Sequence, residues 1–181
     1  KPDGSFYEPG DILVQKDLAA TLKRIAAEGS DGFYKGETAE KIAAAVQAGG
    51  GVMTAQDLAD YTAVMREPVS GTYRGYEIVS MPPPSSGGTH IIQILNILEG
   101  YPIGFLGHNS SETIHLMAEA MKYAYADRSE YLGDPDFNDV PVAELTSKAY
   151  AADLRDKISL NQARPSAEIK PSDLAPYESD Q

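Results

Sequence analysis

Cysteine is absent from the 181 residues, which removes disulfides, thiolate nucleophiles and thiolate zinc sites together. Basic residues are scarce: 15 Lys and Arg stand against 27 Asp and Glu, a net charge of −12. Phosphate backbones are held by clustered Lys and Arg, so nucleic acid is excluded as a partner, and an acidic surface argues equally against anionic lipid. No apolar run approaches the ~20 residues of a membrane-spanning helix. The most apolar stretch, 91–98, is broken by Gln93 and Asn96 and suits a buried helix. An initiating Met and an apolar leader are missing too, so the chain reads as one piece of a longer precursor. Hydrophobic residues make up 42%, which is enough for a globular core. No internal repeat or second domain is visible, so 1–181 is expected to form a single domain fragment.

The pattern predicts an α+β chain that is mostly helical. Leu18, Leu22 and Ile25 recur at helical spacing before Gly29, and Ala39, Ile42, Ala43 and Val46 recur before Gly49-Gly50-Gly51. Thr54 with Asp57 has the form of a capping box opening a short helix. Val69, Thr72, Tyr73, Tyr76, Ile78 and Val79 are strand formers around Arg74-Gly75, which predicts a hairpin. After Gly87-Gly88 a helix should run to about Glu99 and bury Ile91, Ile94, Leu95 and Leu98, with Ile92 and Ile97 widening that face. Asn109 with Glu112 should open a long helix to about Arg128, with Ile114, Met117, Met121 and Tyr125 on one face. A last helix is expected near 146–158. Pro165, Pro171 and Pro176 forbid a long helix or central strand in the tail, so 164–181 is expected to be extended.

Few residues suggest chemistry. His115 and Glu119 sit one turn apart, but a catalytic zinc site needs a third protein ligand. The run 134–139 places Asp134, Asp136 and Asn138 like the start of a calcium loop. Its sixth position is Asp139 where Gly is required, and its twelfth is Leu145 where a bidentate Glu is required. A turn held by Asp and Asn side chains explains it better. The stiff string Met81-Pro82-Pro83-Pro84-Ser85-Ser86-Gly87-Gly88 leads straight into a helix. Its amides suit an anion, but Ser85 or Ser86 acting as a simple cap accounts for it as well. It is no nucleophile elbow, and no His with an acidic partner is placed to activate either serine. Asp127 and Arg128, flanked by Tyr123, Tyr125 and Tyr131, form either a binding surface or a hydrogen-bonded structural contact. No catalytic, substrate-binding or metal-binding residue is assigned, and no cofactor is implied.

Several of these strings together resemble γ-glutamyltransferase. They are Tyr73-Arg74-Gly75-Tyr76, the 81–88 string with the helix after it, Met117-Ala118-Glu119-Ala120, the run from Lys122 to Phe137, and Pro176-Tyr177-Glu178-Ser179. The resemblance implies the C-terminal part of the large subunit of an autoprocessing enzyme with the αββα N-terminal nucleophile hydrolase fold. It implies cleavage on the C-terminal side of Gln181 and a small, catalytic subunit as partner. A γ-glutamyl donor such as glutathione would be the substrate, and the location would be periplasmic or secreted. It carries no catalytic role onto Ser85, Ser86, Gly87 or Gly88. A cephalosporin or glutaryl acylase of the same family, or a non-catalytic helical binding module, are the alternatives.

Overall fold

The computed structural model describes residue 1 and residues 3–177; Gln181 lies outside the described residues. The class is as expected, mostly helical with one two-stranded antiparallel sheet. The chain divides into two compact units, Lys1–Val64 and Met65–Gln181, although the sequence pattern marks no boundary there.

The first unit holds α1 (Lys16–Glu28), α2 (Asp31–Tyr34), α3 (Gly36–Ala48) and α4 (Ala55–Ala59). Its buried apolar residues are Ala39 and Ala43, both on α3. Polar contacts therefore matter more than usual: the Arg24 guanidinium donates to Thr38 Oγ1 at 2.6 Å and to Glu37 Oε2 at 2.7 Å. Gly32 packs so tightly on α1 that a Cβ would lie 2.7 Å from the Arg24 carbonyl oxygen. The capping box forms as predicted, with Asp57 N–H donating to Thr54 Oγ1 and Thr54 N–H donating to Asp57 Oδ2. Leu18 and Leu22 stay exposed, and α1 buries no residue.

The second unit begins with β1 (Val69–Tyr73) and β2 (Tyr76–Ser80), paired Tyr73 to Tyr76 across a two-residue turn. Arg74 and Gly75 have φ of 51° and 84°, the double left-handed geometry of a type I′ hairpin. Among the described residues five α-helices follow: α5 (Ser86–Glu99), α6 (Ile103–Leu106), α7 (Ser111–Tyr131), α8 (Val142–Leu145) and α9 (Lys148–Asp156). The core lies among α5, α7, α8 and α9, where Ile97, Leu145 and Leu154 are fully buried. Each such side chain contributes roughly 1.5–3 kcal/mol. Of the hairpin's side chains only Val69 is buried, so the helices support the hairpin rather than the reverse. The contact is close: a Cβ on Gly71 would sit 2.7 Å from Ile92 Cγ2. Lys148 fastens the hairpin further, donating to the Thr72 carbonyl at 2.7 Å and to Glu99 at 2.6 Å.

Two helix faces differ from expectation. On α5 the buried residues include Ile92, Gln93, Asn96, Ile97 and Leu98, while Ile91 is exposed and Ile94 and Leu95 are half-buried. The face is rotated because Gln93 and Asn96 find partners inside: Asn96 donates to the Thr146 carbonyl at 2.7 Å. On α7 the expected face is the outer one. Ile114, Met117, Met121 and Tyr125 are exposed, and Leu116, Glu119, Ala120, Tyr123, Ala124 and Asp127 are buried. Its cap is Ser110, accepting from the Thr113 amide, rather than Asn109.

Candidate functional site

The polar interior of the second unit is organised along one stripe of α7. Glu119, Tyr123, Asp127 and Tyr131 are spaced four residues apart and so lie one above another on one side of the helix. The tail after α9 runs along this stripe, and each of the four side chains bonds it.

Two tail residues are held by both of their backbone polar groups. Arg164 donates its amide to Glu119 Oε1 at 3.2 Å, and its carbonyl accepts from Lys122 Nζ at 2.7 Å. Glu119 and Lys122 are themselves paired at 2.5 Å. Ser172 donates its amide to Asp127 Oδ1 at 3.2 Å, and its carbonyl accepts from the Tyr131 hydroxyl at 2.5 Å. Between these two clamps the Arg164 side chain donates to the Tyr123 hydroxyl at 3.2 Å. The clamps read backbone rather than side chains, much as a neighbouring strand does in a sheet.

From residue 119 to 127 a helix advances about 12 Å, whereas the same number of residues fully extended, 164 to 172, would span up to about 29 Å. The tail takes up the difference with a single 3₁₀ turn at Ser166–Glu168, and a second turn follows at Ala175–Tyr177. Among its described residues, up to Tyr177, the tail has no other helix or strand, and Ile169 and Leu174 insert into the core.

Asp127 is the centre of the arrangement. It is 1% exposed, and its Oδ2 accepts from Gln93 Nε2 at 2.5 Å and from the Tyr150 hydroxyl at 2.6 Å. Burial raises its pKa above the ordinary carboxylate range, against the lowering effect of Tyr150, Gln93 and the Ser172 amide. Tyr150 is driven upward by burial and by the same carboxylate. Gln93 also faces His90 Nδ1 at 2.9 Å, and burial lowers the pKa of that imidazole. Tyr150 packs on Tyr177 with ring centroids 4.9 Å apart, and the Tyr177 hydroxyl donates to Asp153, raising its own pKa to about 12. Donors of this kind surrounding a buried carboxylate fix geometry; they present no nucleophile.

The other candidates resolve into structure. Ser85 caps α5, accepting from the Gly87 amide at 3.2 Å. A Cβ on Gly88 would stand 2.3 Å from the Met81 carbonyl oxygen, so close packing explains this glycine. The 134–139 run is a turn, with the Asp136 amide donating to Asp134 Oδ1 and Asn138 Nδ2 to the Asp134 carbonyl. Arg66 clasps it through Asp136 at 2.6 Å. His115 contacts the Ser159 carbonyl, while Glu119 turns inward to the tail. No group of three or more His, Asp or Glu is placed to hold a metal among the described residues.

The clamp was not foreseen from the sequence, where Asp127 and its tyrosines stood between a binding surface and a hydrogen-bonded contact. The four-residue spacing of Glu119, Tyr123, Asp127 and Tyr131 was the available signal.

The family described as gamma-glutamyltranspeptidase matches residues 1–181. The glutathione hydrolase proenzyme of Escherichia coli is 58% identical over 179 residues, 99% of this chain and 31% of that protein. The Acylase ACY 1 proenzyme of a Pseudomonas species (strain SE83) is 52% identical, covering 90% of this chain and 29% of its own length. The crystal structure of Helicobacter pylori gamma-glutamyltranspeptidase superposes with a TM-score of 0.80 at 53% identity, over 91% of this chain and 47% of that one. The chain therefore spans less than a third of the curated relatives it matches. Matched along its whole length, it belongs to the gamma-glutamyltranspeptidase family.

Proposed function

We propose that the chain is the C-terminal part of the large subunit of an autoprocessing γ-glutamyltransferase, a glutathione hydrolase with the αββα N-terminal nucleophile hydrolase fold. The observation that carries the reading is the match over 99% of the chain to a relative named glutathione hydrolase proenzyme. The complete protein transfers γ-glutamyl groups from glutathione-like donors to water, amino acids or peptides. A Thr at the head of the small, catalytic subunit attacks the γ-carbonyl, expels the amine and forms an acyl-Thr ester. Water or an acceptor amine then cleaves that ester and restores the hydroxyl.

The same hydroxyl makes its own terminus. In the precursor it attacks the Gln181 carbonyl carbon, the peptide C–N bond breaks with protonation of the leaving amine, and water hydrolyses the resulting ester. The mature protein is exported, periplasmic or secreted. In keeping with this division of labour, Ser85 of the 81–88 string serves as a helix cap, and the buried Asp127 is enclosed by donors.

A γ-glutamyl anilide assay tests the reading. The complete protein should release the aniline, and this chain alone should release none. Turnover by the purified chain alone, or none by the complete protein, would overturn it. The relative named an acylase supports a second reading, that of an acylase, for which we propose a glutaryl or cephalosporin amide as donor. Faster hydrolysis of glutaryl than of γ-glutamyl anilide would favour it.

A further inference from the structure

We propose that the two clamps on α7 are a positioning device for the self-cleavage, fixing the backbone of the tail that carries the bond to be cut. The proposal rests on the reading of Gln181 as the cleavage point.

A tail that merely needed to cover the core would be kept in place by Ile169 and Leu174, both buried. Yet the unit also commits two nearly inaccessible carboxylates, Glu119 and Asp127, each 1% exposed, to tail amides. Lys122 and Tyr131 take the carbonyls of the same two residues. Holding both the N–H and the C=O of a residue fixes the orientation of its peptide planes, which apolar contact does not.

The second clamp grips Ser172 immediately after Pro171, whose ring already restricts φ. Tyr177 is then fastened through Asp153 and packed on Tyr150, and Tyr150 in turn donates to Asp127. Asp127 therefore fixes the tail twice, directly at Ser172 and through Tyr150 at Tyr177. Four residues separate Tyr177 from position 181. An intramolecular attack on a carbonyl is sensitive to displacements of about 1 Å, at a cost of up to about 100-fold in rate.

The test uses the full precursor, purified uncut or captured early, with cleavage followed by gel or mass at a temperature well below melting. Tyr131→Phe deletes one hydroxyl and releases the Ser172 carbonyl. Lys122→Met releases the Arg164 carbonyl. Asp136→Ala breaks the Arg66 clasp in the same unit, a contact that involves no described tail residue, and serves as the stability control. Cleavage should slow roughly 10- to 100-fold in Tyr131→Phe and less than about threefold in Asp136→Ala, even where the control melts lower. Parental rates in both clamp variants, or equal slowing by the control, would overturn the positioning role. A parental precursor that stays uncut when pure would instead overturn the self-cleavage reading itself.

Discussion

Replacing Asp127 gives the sharpest reading of how the second unit is held together. Truncation to Ala removes the acceptor of three donors, the Gln93 amide, the Tyr150 hydroxyl and the Ser172 amide. Gln93 and Tyr150 are fully buried, so water does not replace what is lost. An unpaired buried donor costs about 1–3 kcal/mol. Two such donors cost about 2–6 kcal/mol together, and partial relief from no longer burying a carboxylate puts the loss at about 1–5 kcal/mol. Asp127→Asn keeps the volume and one acceptor oxygen but turns an N–H₂ toward a donor. It should cost about 1–3 kcal/mol.

The pH dependence separates charge from packing. Because burial raises the Asp127 pKa, the protonated form is favoured in the folded state. Its stabilising contribution is complete below the unfolded carboxylate value and is lost as pH rises through the raised folded value. Asn has no such loss. Melting of the complete protein should therefore show a gap between parent and Asp127→Asn that narrows as pH rises above the ordinary carboxylate value. An Asn variant that melts at or above the parent throughout that rise, or an Ala variant no worse than a surface substitution, would refute the reasoning.

Two further substitutions test the placement of the core. Ile97→Ala, at a fully buried position, should cost about 2–5 kcal/mol, and Leu95→Ala, half-buried, clearly less; equal losses in urea denaturation would return the buried face to the one expected from sequence. Gly88→Ala should lower the melting temperature by several degrees because its Cβ would meet the Met81 carbonyl, whereas Gly104→Ala, with open space around it, should change it by a degree or less.

Local signals were legible. The Thr54–Asp57 capping box, the Arg74-Gly75 hairpin and the Ser85 cap each depend on residues within a few positions of one another, and each formed. The face of α7 was not legible, because its partners are distant: Glu119 and Asp127 each meet a tail amide 45 residues away. Hydrophobicity alone selects Ile114, Met117, Met121 and Tyr125, the face left exposed in this segment. The rotation of α5 has the same origin, since Gln93 is made acceptable inside by Asp127, 34 residues on. The prolines suggest an extended tail, but they say nothing of the 3₁₀ turns that its described part makes at Ser166–Glu168 and Ala175–Tyr177.

Under the proposed function, the precursor itself cuts the chain after Gln181. Intact-mass spectrometry of two purified precursors tests it most directly, one with the parental sequence and one with Thr→Ala at the position after Gln181. The parent should yield two subunits, the larger ending at Gln181, and the Thr→Ala precursor should remain one uncut chain. Normal two-subunit masses from the Thr→Ala precursor would mean that an outside protease makes the cut, and would contradict the account.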